Sequence, residues 1–159
     1  MPDHPTNAEA LHEAIEARLR LADQRYTSGR RRLVSFLVAA DHPVSISEIE
    51  AALPTLPRST AYRNLVDLQG AGVVRRVAAG DEFVRFELTE ELTEHHHHLL
   101  CLHCGRVLDV ASDPLFETAI ADMAETLAAR FAFTARDHRL DILGRCAQCS
   151  SDPDSAGAP

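Results

Sequence analysis

The chain of 159 residues contains no lysine, so every basic contact it makes comes from arginine. It has no apolar run near the ~18 residues of a membrane span. Its start, MPDHPTNAEAL, lacks a basic region followed by an apolar core, which argues against a secretory leader and for a cytoplasmic protein. It also lacks Gly-x-Ser-x-Gly, a phosphate-cradling glycine loop and His-Glu-x-x-His, so the residues give no reason to expect an enzyme. Cysteine is scarce, with four in the whole chain, and in a cytosolic setting such residues read as metal ligands rather than disulfides.

The net charge of −8 argues superficially against a nucleic-acid partner, but its distribution does not. Residues 18–76 hold ten arginines against Asp23, Asp41, Glu48, Glu50 and Asp67, a local +5. Residues 1–17 carry −4, and residues 77–159 carry −9. A basic first half followed by an acidic second half separates a region that can meet phosphate from one that cannot.

Thr6-x-x-Glu9 is a capping-box pattern that opens a helix over 8–22, with Leu11, Ile15 and Leu19 at helical spacing. Thr27 or Ser28 can cap a second helix with Leu33, Phe36, Leu37 and Ala40 as its stripe. Ser45-x-x-Glu48 opens a third, LPTLP breaks the chain, and Ser59 can cap a fourth whose Ala61, Leu65 and Leu68 face inward. Gly70 and Gly72 suit its C-terminal end. The period then changes: VVRRV and FVRFEL predict two strands joined by a hairpin turning at Gly80-Asp81. Three helices and a hairpin outline a winged helix-turn-helix; a plain helical bundle with a strand pair is the alternative. TEELTE is a polar connection. Beyond it HHHHLLCL, RVLDV and HRLDILG predict strands, and Asp113-Pro114 starts a helix to about Arg130 carrying Leu115, Ile120, Met123 and Leu127. The expected fold is α+β, with a winged helix-turn-helix over 1–88, a hinge at 89–94, a small α/β domain over 95–150 and a disordered tail at 151–159.

Cys101-x-x-Cys104 and Cys146-x-x-Cys149 carry the strongest chemistry. Four thiolates arranged tetrahedrally saturate Zn²⁺ and leave no open position, so the site is structural. The alternative is two redox pairs or unrelated buried thiols. His103 inside the first pair reads as an exposed neighbour. Just upstream lies His95-His96-His97-His98. Successive residues of a strand face opposite ways, so His95 and His97 share one face, His96 and His98 the other. Each face needs further donors, and Glu87, Asp109, Glu117, His42 and His138 are available; a solvated polar strand end is the plainer reading. Arg58, Ser59, Thr60, Tyr62 and Arg63 start the fourth helix, the end that reaches base edges in a helix-turn-helix. Arg30, Arg31 and Arg32 suit phosphate contacts, with a solvated face as the alternative. Core packing is the alternative for Tyr62.

RYTSGRRRLVSFL, RSTAYRNLVDLQGAGVV, RFEL, HHHHLLCLHCGRVLDV and HRLDILGRCAQC together resemble the ferric uptake regulator family, from about residue 20 to 149. The resemblance implies a dimeric, metal-responsive repressor with an N-terminal winged helix and a C-terminal dimerisation domain. Its partners would be double-stranded operator DNA and a second copy of the chain, with no membrane and no small-molecule substrate. It implies structural Zn²⁺ on the four cysteines. It implies a regulatory site of His42, Glu87, His96 and His98, with Asp109 matching an acid used in peroxide-sensing members. It also implies an additional site of His95, His97, Glu117 and His138. Tyr62-Arg63 match the family's Tyr-Arg pair. Aligning His42 takes one extra residue before the third helix, and Glu117 takes a one-residue shift from Phe116. Zinc-sensing members often place Cys and Asp where this chain has Glu87 and Arg75. An N/O donor set therefore favours Fe²⁺, with Zn²⁺ or Mn²⁺ possible. Zinc-uptake or peroxide-stress regulation is the alternative within the family. A zinc-ribbon-like metal-binding interaction protein is the alternative of another class.

Overall fold

The computed structural model describes residues 7–78 and 84–151. It is a mixed helix and sheet structure of two compact units, Met1–Glu94 and His95–Pro159. The expected Thr6 cap, the Gly80-Asp81 turn and the tail at 152–159 lie outside the described residues. No helix among the described residues is long and apolar enough to cross a membrane.

The first unit runs α1 (Asn7–Leu21), α2 (Ser28–Ala39), β1 (Val44–Ser45), α3 (Ile46–Ala52), α4 (Arg58–Gly70), β2 (Val74–Ala78) and β3 (Val84–Leu88). Thr27 is the cap of α2, its hydroxyl accepting from the Arg30 N–H at 3.3 Å. The Ser45–Glu48 capping box forms in both directions, so α3 starts where its sequence says. Ser59 does not cap α4. The helix begins one residue earlier, at Arg58, behind Pro57, and no side chain caps it. Pro57 has no N–H to satisfy and a fixed φ that leads into the helix, so it fills the flanking position itself. Past α4 the chain reverses through Gly72, whose φ of +68° a side chain would disfavour.

Ile15 and Leu19 of α1, Leu33 and Val34 of α2, Ile49 of α3, and Ala61, Leu65 and Leu68 of α4 are fully buried in one core with Val44, Val74 and Phe86. Each large aliphatic side chain there contributes roughly 1.5–3 kcal/mol. The strands form an antiparallel sheet ordered β1-β3-β2, whose register sets Arg75 opposite Glu87. That packing fixes which side of α4 stays exposed.

Segment 89–94, expected as a hinge, carries local structure of its own. Glu90–Leu92 forms one 3₁₀ turn, and Leu92 packs against the first core. Arg75 holds the turn, its Nε 2.5 Å from Glu87 and its Nη1 2.5 Å from Glu90. Apolar packing and a shared arginine tie this stretch to the winged-helix unit.

The second unit runs β4 (His96–Cys101), β5 (Val107–Ala111), α5 (Pro114–Arg130), β6 (Asp141–Gly144) and α6 (Ala147–Ser150). Asp113 caps α5, accepting from Leu115 and Phe116 N–H, with Pro114 in the first turn. The sheet is ordered β5-β4-β6, antiparallel between β4 and β5 and parallel between β4 and β6. Its buried apolar residues are few: Leu100, Cys101, Val107, Ala128 and Cys149. The apolar stripe of α5 is largely open, with Leu115 at 84% and Phe131, just beyond the helix, at 71% exposure.

Candidate metal centres and nucleic-acid interface

β4 ends in Cys101, and the turn after it carries Cys104; β6 leads through Arg145 into Cys146 and α6 with Cys149. Gly105 closes the first knuckle, its φ of +68° allowing its N–H to reach the Cys101 carbonyl at 2.9 Å. The four sulfurs lie within 4.8 Å of one another, and Cys104 and Cys146 Sγ are 3.8 Å apart. A tetrahedron of sulfurs at ~2.3 Å from zinc has edges of about 3.8 Å, so the donor set fits that ion. None of the four is in a disulfide. Backbone N–H groups shift two of the four thiols, Cys101 and Cys146, toward the thiolate. Burial pushes the Cys101 thiol up, but the N–H groups of Cys146, Cys104 and His103 outweigh it and bring it down to about 6. The Cys146 N–H stands 3.3 Å from Cys101 Sγ. Burial, and then the neighbouring sulfurs, push Cys149 up to about 12, so the fourth thiolate needs a cation beside it.

Along β4 the histidines alternate. On one face His95, His97, Glu117 and His138 bring their ligand atoms within 4.8 Å. His97 Nε2 is 2.7 Å from Glu117 Oε1, His138 Nε2 is 3.2 Å from Glu117 Oε2, and His95 Nε2 is 3.2 Å from His138 Nε2. Glu117, rather than Phe116, points into the group; the Phe116 ring packs on His97 with centroids 5.5 Å apart. Three imidazoles and a carboxylate form a donor set for Zn²⁺ or another first-row ion.

On the other face His96, His98 and Asp109 bring their ligand atoms within 4.8 Å. The register pairs His98 with Asp109 on β5, with Nε2 3.7 Å from Oδ1. Asp141 on β6 accepts from His98 Nδ1 at 2.9 Å. Two histidines and one carboxylate are the donor set of non-haem iron sites with open positions. Glu87 belongs to the first unit, where it is buried and paired with Arg75.

His42 makes its described contacts within the first unit. Its Nδ1 is 2.8 Å from Asp41 and its Nε2 2.9 Å from Glu48, both in the first unit, and it belongs to none of the ligand groups among the described residues. The carboxylate that caps α3 holds the ring. Asp41 and then Glu48 raise the His42 pKa above its ordinary value.

For nucleic acid, Arg58, Ser59, Tyr62 and Arg63 are exposed on the first turns of α4, with Thr60 half-buried. Tyr62 is 47% exposed and meets Phe86 edge-on, so its ring leans on the core while its face stays open. Arg58 pairs with Glu50 at 2.7 Å, and Arg32 donates to Thr55 at 2.9 Å. Arg31 is exposed, with its guanidinium 5.6 Å from the Tyr26 ring centre. Arg30 sits differently from its two neighbours. It is 7% exposed and donates to the Arg25 carbonyl at 2.6 Å, to Gln24 at 3.0 Å and to Asp67. It ties α2 to α4 from a buried position. The helical phase was the available signal: Arg30 precedes Leu33, Val34 and Leu37 on the buried face.

Asp141 is the residue that reading the sequence missed. HRLDILG announces a strand, but nothing in it says that the strand lies parallel beside the histidines. Only the pairing of His98 with Asp141 does.

Comparison with known proteins fits this picture. The family model described as the ferric uptake regulator family matches residues 22–143. A peroxide operon regulator of Bacillus subtilis (strain 168) is 32% identical over 148 residues, spanning 90% of this chain and 95% of its own length. The Helicobacter pylori ferric uptake regulator, whose structure reveals three functional metal binding sites, superposes with a TM-score of 0.73 at 21% identity, over 92% of this chain and 95% of that one. The Vibrio cholerae ferric uptake regulator superposes with a TM-score of 0.64 at 29% identity, over 80% and 96%.

Proposed function

The chain belongs to the ferric uptake regulator family of metal-responsive transcription regulators, and we propose that it is a repressor whose dimer binds operator DNA when a divalent ion occupies the His96/His98 face of β4. The observation that carries this reading is the alternation of the histidine run. One strand supplies N/O donors to both faces and ends in the four-cysteine cluster. The cysteine cluster takes Zn²⁺ for structure. The His96, His98 and Asp109 set takes the ion that is sensed, with Glu87 of the winged-helix unit as its further carboxylate. Holding donors from both units, that ion selects the domain arrangement in which two recognition helices match two operator half-sites. Tyr62 and Arg63 on the open face of α4 read base edges, and Arg31, Arg32 and Arg58 hold phosphates. The second copy covers the apolar side chains that the second unit leaves open, among them Leu115, Met123, Leu127 and Phe131.

Fe²⁺ is the favoured regulatory ion; Mn²⁺ and Zn²⁺ are accepted by the same donors. A second reading, peroxide response, is favoured by two observations. The site carries a two-histidine, one-carboxylate set through Asp109, and the Bacillus subtilis relative is a peroxide operon regulator. Iron held there would supply a redox couple that peroxide oxidises.

The test is an anaerobic gel shift on the gene's own upstream DNA. Chelator comes first, then Fe²⁺, Mn²⁺ or Zn²⁺ separately, then peroxide on each loaded form. Metal-dependent retardation is expected, most strongly with Fe²⁺. Release by peroxide from the iron form but not the manganese form decides for the second reading. Equal retardation with and without metal would sink the mechanism, and no retardation under any ion would favour a metal-binding interaction protein.

A further inference from the structure

Tyr26 stands immediately before Thr27, the cap of α2, and its ring is half-buried against the core of the first unit. Its hydroxyl shares a hydrogen bond of 2.5 Å with Nδ1 of His12 on α1, and the two ring centroids are 5.8 Å apart. Over the face of the tyrosine ring lies the Arg31 guanidinium, 5.6 Å from its centre and within the range of a cation–π contact. Ser35 closes the group. Its hydroxyl donates to the Arg31 carbonyl at 2.9 Å and stands 3.3 Å from His12 Nε2. Burial pushes the Tyr26 phenol up to about 12, against the pull of Arg31, so the hydroxyl stays a neutral O–H at any working pH.

A surface arginine samples many rotamers, and taking a phosphate costs it that freedom. Arg31 is exposed, yet its charge rests on a ring that the core and His12 hold at two points. Such a contact consumes none of the N–H donors of the guanidinium. Arg31 also borders a hollow of about 490 Å³, lined further by Ser28, Arg32, Ser35, Phe36 and Leu53. Arginines and hydroxyls without an acidic neighbour in the lining give this hollow the chemistry of a phosphodiester site. We infer that Tyr26 is a positioning residue for DNA binding: its braced ring holds the Arg31 guanidinium ready for one backbone phosphate at this hollow. The inference rests on the reading that Arg31 holds a phosphate.

The experiment uses the full zinc-replete chain with Mn²⁺ and the gene's own upstream duplex. Tyr26→Leu is expected to weaken binding by about 2–10-fold for each bound copy, the effect of leaving one arginine unrestrained before it binds. In an Arg31→Ala background the same change is expected to do nothing further, because both mutations remove one shared contact. Tyr26→Phe keeps the ring face and is expected to retain most of the affinity. In the DNA-free protein, nuclear Overhauser contacts between the ring at position 26 and the Arg31 side chain are expected in the wild type and in Tyr26→Phe. Tyr26→Leu with wild-type affinity, or a wild type without those ring contacts, would overturn the inference while Arg31 keeps its phosphate. So would a loss that persists undiminished in the Arg31→Ala background, which would make Tyr26 merely structural. A wild type that leaves the duplex unbound, or an Arg31→Ala protein that binds it as the wild type does at every salt concentration, sinks the phosphate reading and the inference with it.

Discussion

Replacing Asp67 by Ala decides what Arg30 is for. The guanidinium of Arg30 is enclosed between α2 and α4, with Asp67 as its one anionic partner among the contacts described and the Arg25 carbonyl and Gln24 as neutral acceptors. Deleting one member of a fully buried pair costs ~3–5 kcal/mol, because the survivor is left charged and poorly solvated. Here the Arg30 side chain is 9% exposed but Asp67 is 27% exposed, and two neutral acceptors remain. The expected loss is therefore about 2–3 kcal/mol, below the fully buried range. Arg30→Met, which removes the buried charge itself and keeps the stem, should cost less, about 1–2 kcal/mol, the remaining acceptors losing their donor. Denaturant unfolding of the zinc-replete protein measures both. Operator titrations over a salt series supply the second arm. Arg30→Met should leave the slope of log K against log salt unchanged, while Arg31→Ala should reduce its magnitude by about one. An Asp67→Ala protein as stable as wild type, or an Arg30→Met protein that loses one unit of slope at full stability, would refute the buried-tie assignment and return Arg30 to the DNA.

Arg63→Ala should weaken operator binding by about 1–3 kcal/mol while dimer and zinc content stay intact, as read by gel shift, sedimentation and metal analysis. Cys146→Ser should remove zinc from the protein and, by freeing the end of β6, lower the affinity of the His98 site for Mn²⁺; retained affinity without zinc would break that link. Glu48 gives a pH test: burial opposes its ionisation, but Ser45, His42 and Arg85 outweigh that and bring its pKa down to about 2. A depressed carboxylate stabilises the fold above its unfolded value and loses that contribution as pH falls through the folded one. The stability gap between wild type and Glu48→Gln should therefore close as pH falls between roughly pH 4.5 and 2, and should also narrow as pH rises through the titration of His42, whose protonated ring Glu48 holds. After discounting for the partial exposure of Glu48 it amounts to ~1–2 kcal/mol.

The winged-helix unit was legible because its signals are local. Capping boxes, a 3.6-residue period and a change to alternation are all written within a dozen residues, and the buried faces of α1 to α4 follow them. The cysteine pairs were legible for the same reason, since two knuckles announce themselves by spacing alone. The histidine faces followed from the period of two. What failed was long-range or competitive. His42 looked free until the structure gave its nitrogens to Asp41 and the cap of α3. Arg30 looked like its two neighbours in an arginine triplet, yet it is the one of the three on the buried face of α2. Asp141 depended on a parallel pairing between strands 43 residues apart, which no local pattern encodes. The α5 stripe was legible as apolar from its period, but amphipathicity states that a face wants cover and not which molecule supplies it.

The shared strand has a consequence for how the sites depend on one another. Side chains on a strand alternate with a period of two, so a slip of one residue in β4 would exchange the His95/His97 and His96/His98 faces and destroy both donor sets at once. Nothing in four consecutive histidines distinguishes one register from the other. The distinction has to come from the ends of the pairing. At the far end, Cys101 meets Gly144 on β6, and the Cys101 N–H bonds the Arg106 carbonyl across the knuckle at 2.8 Å. A metal on four sulfurs fixes that end covalently in register, and the histidines are then phased from it. If zinc on the four sulfurs sets this register, zinc-stripped protein should bind Mn²⁺ both more weakly and with a heterogeneous electron paramagnetic resonance spectrum. A single sharp manganese signal of unchanged affinity in the stripped protein would show that register is set elsewhere.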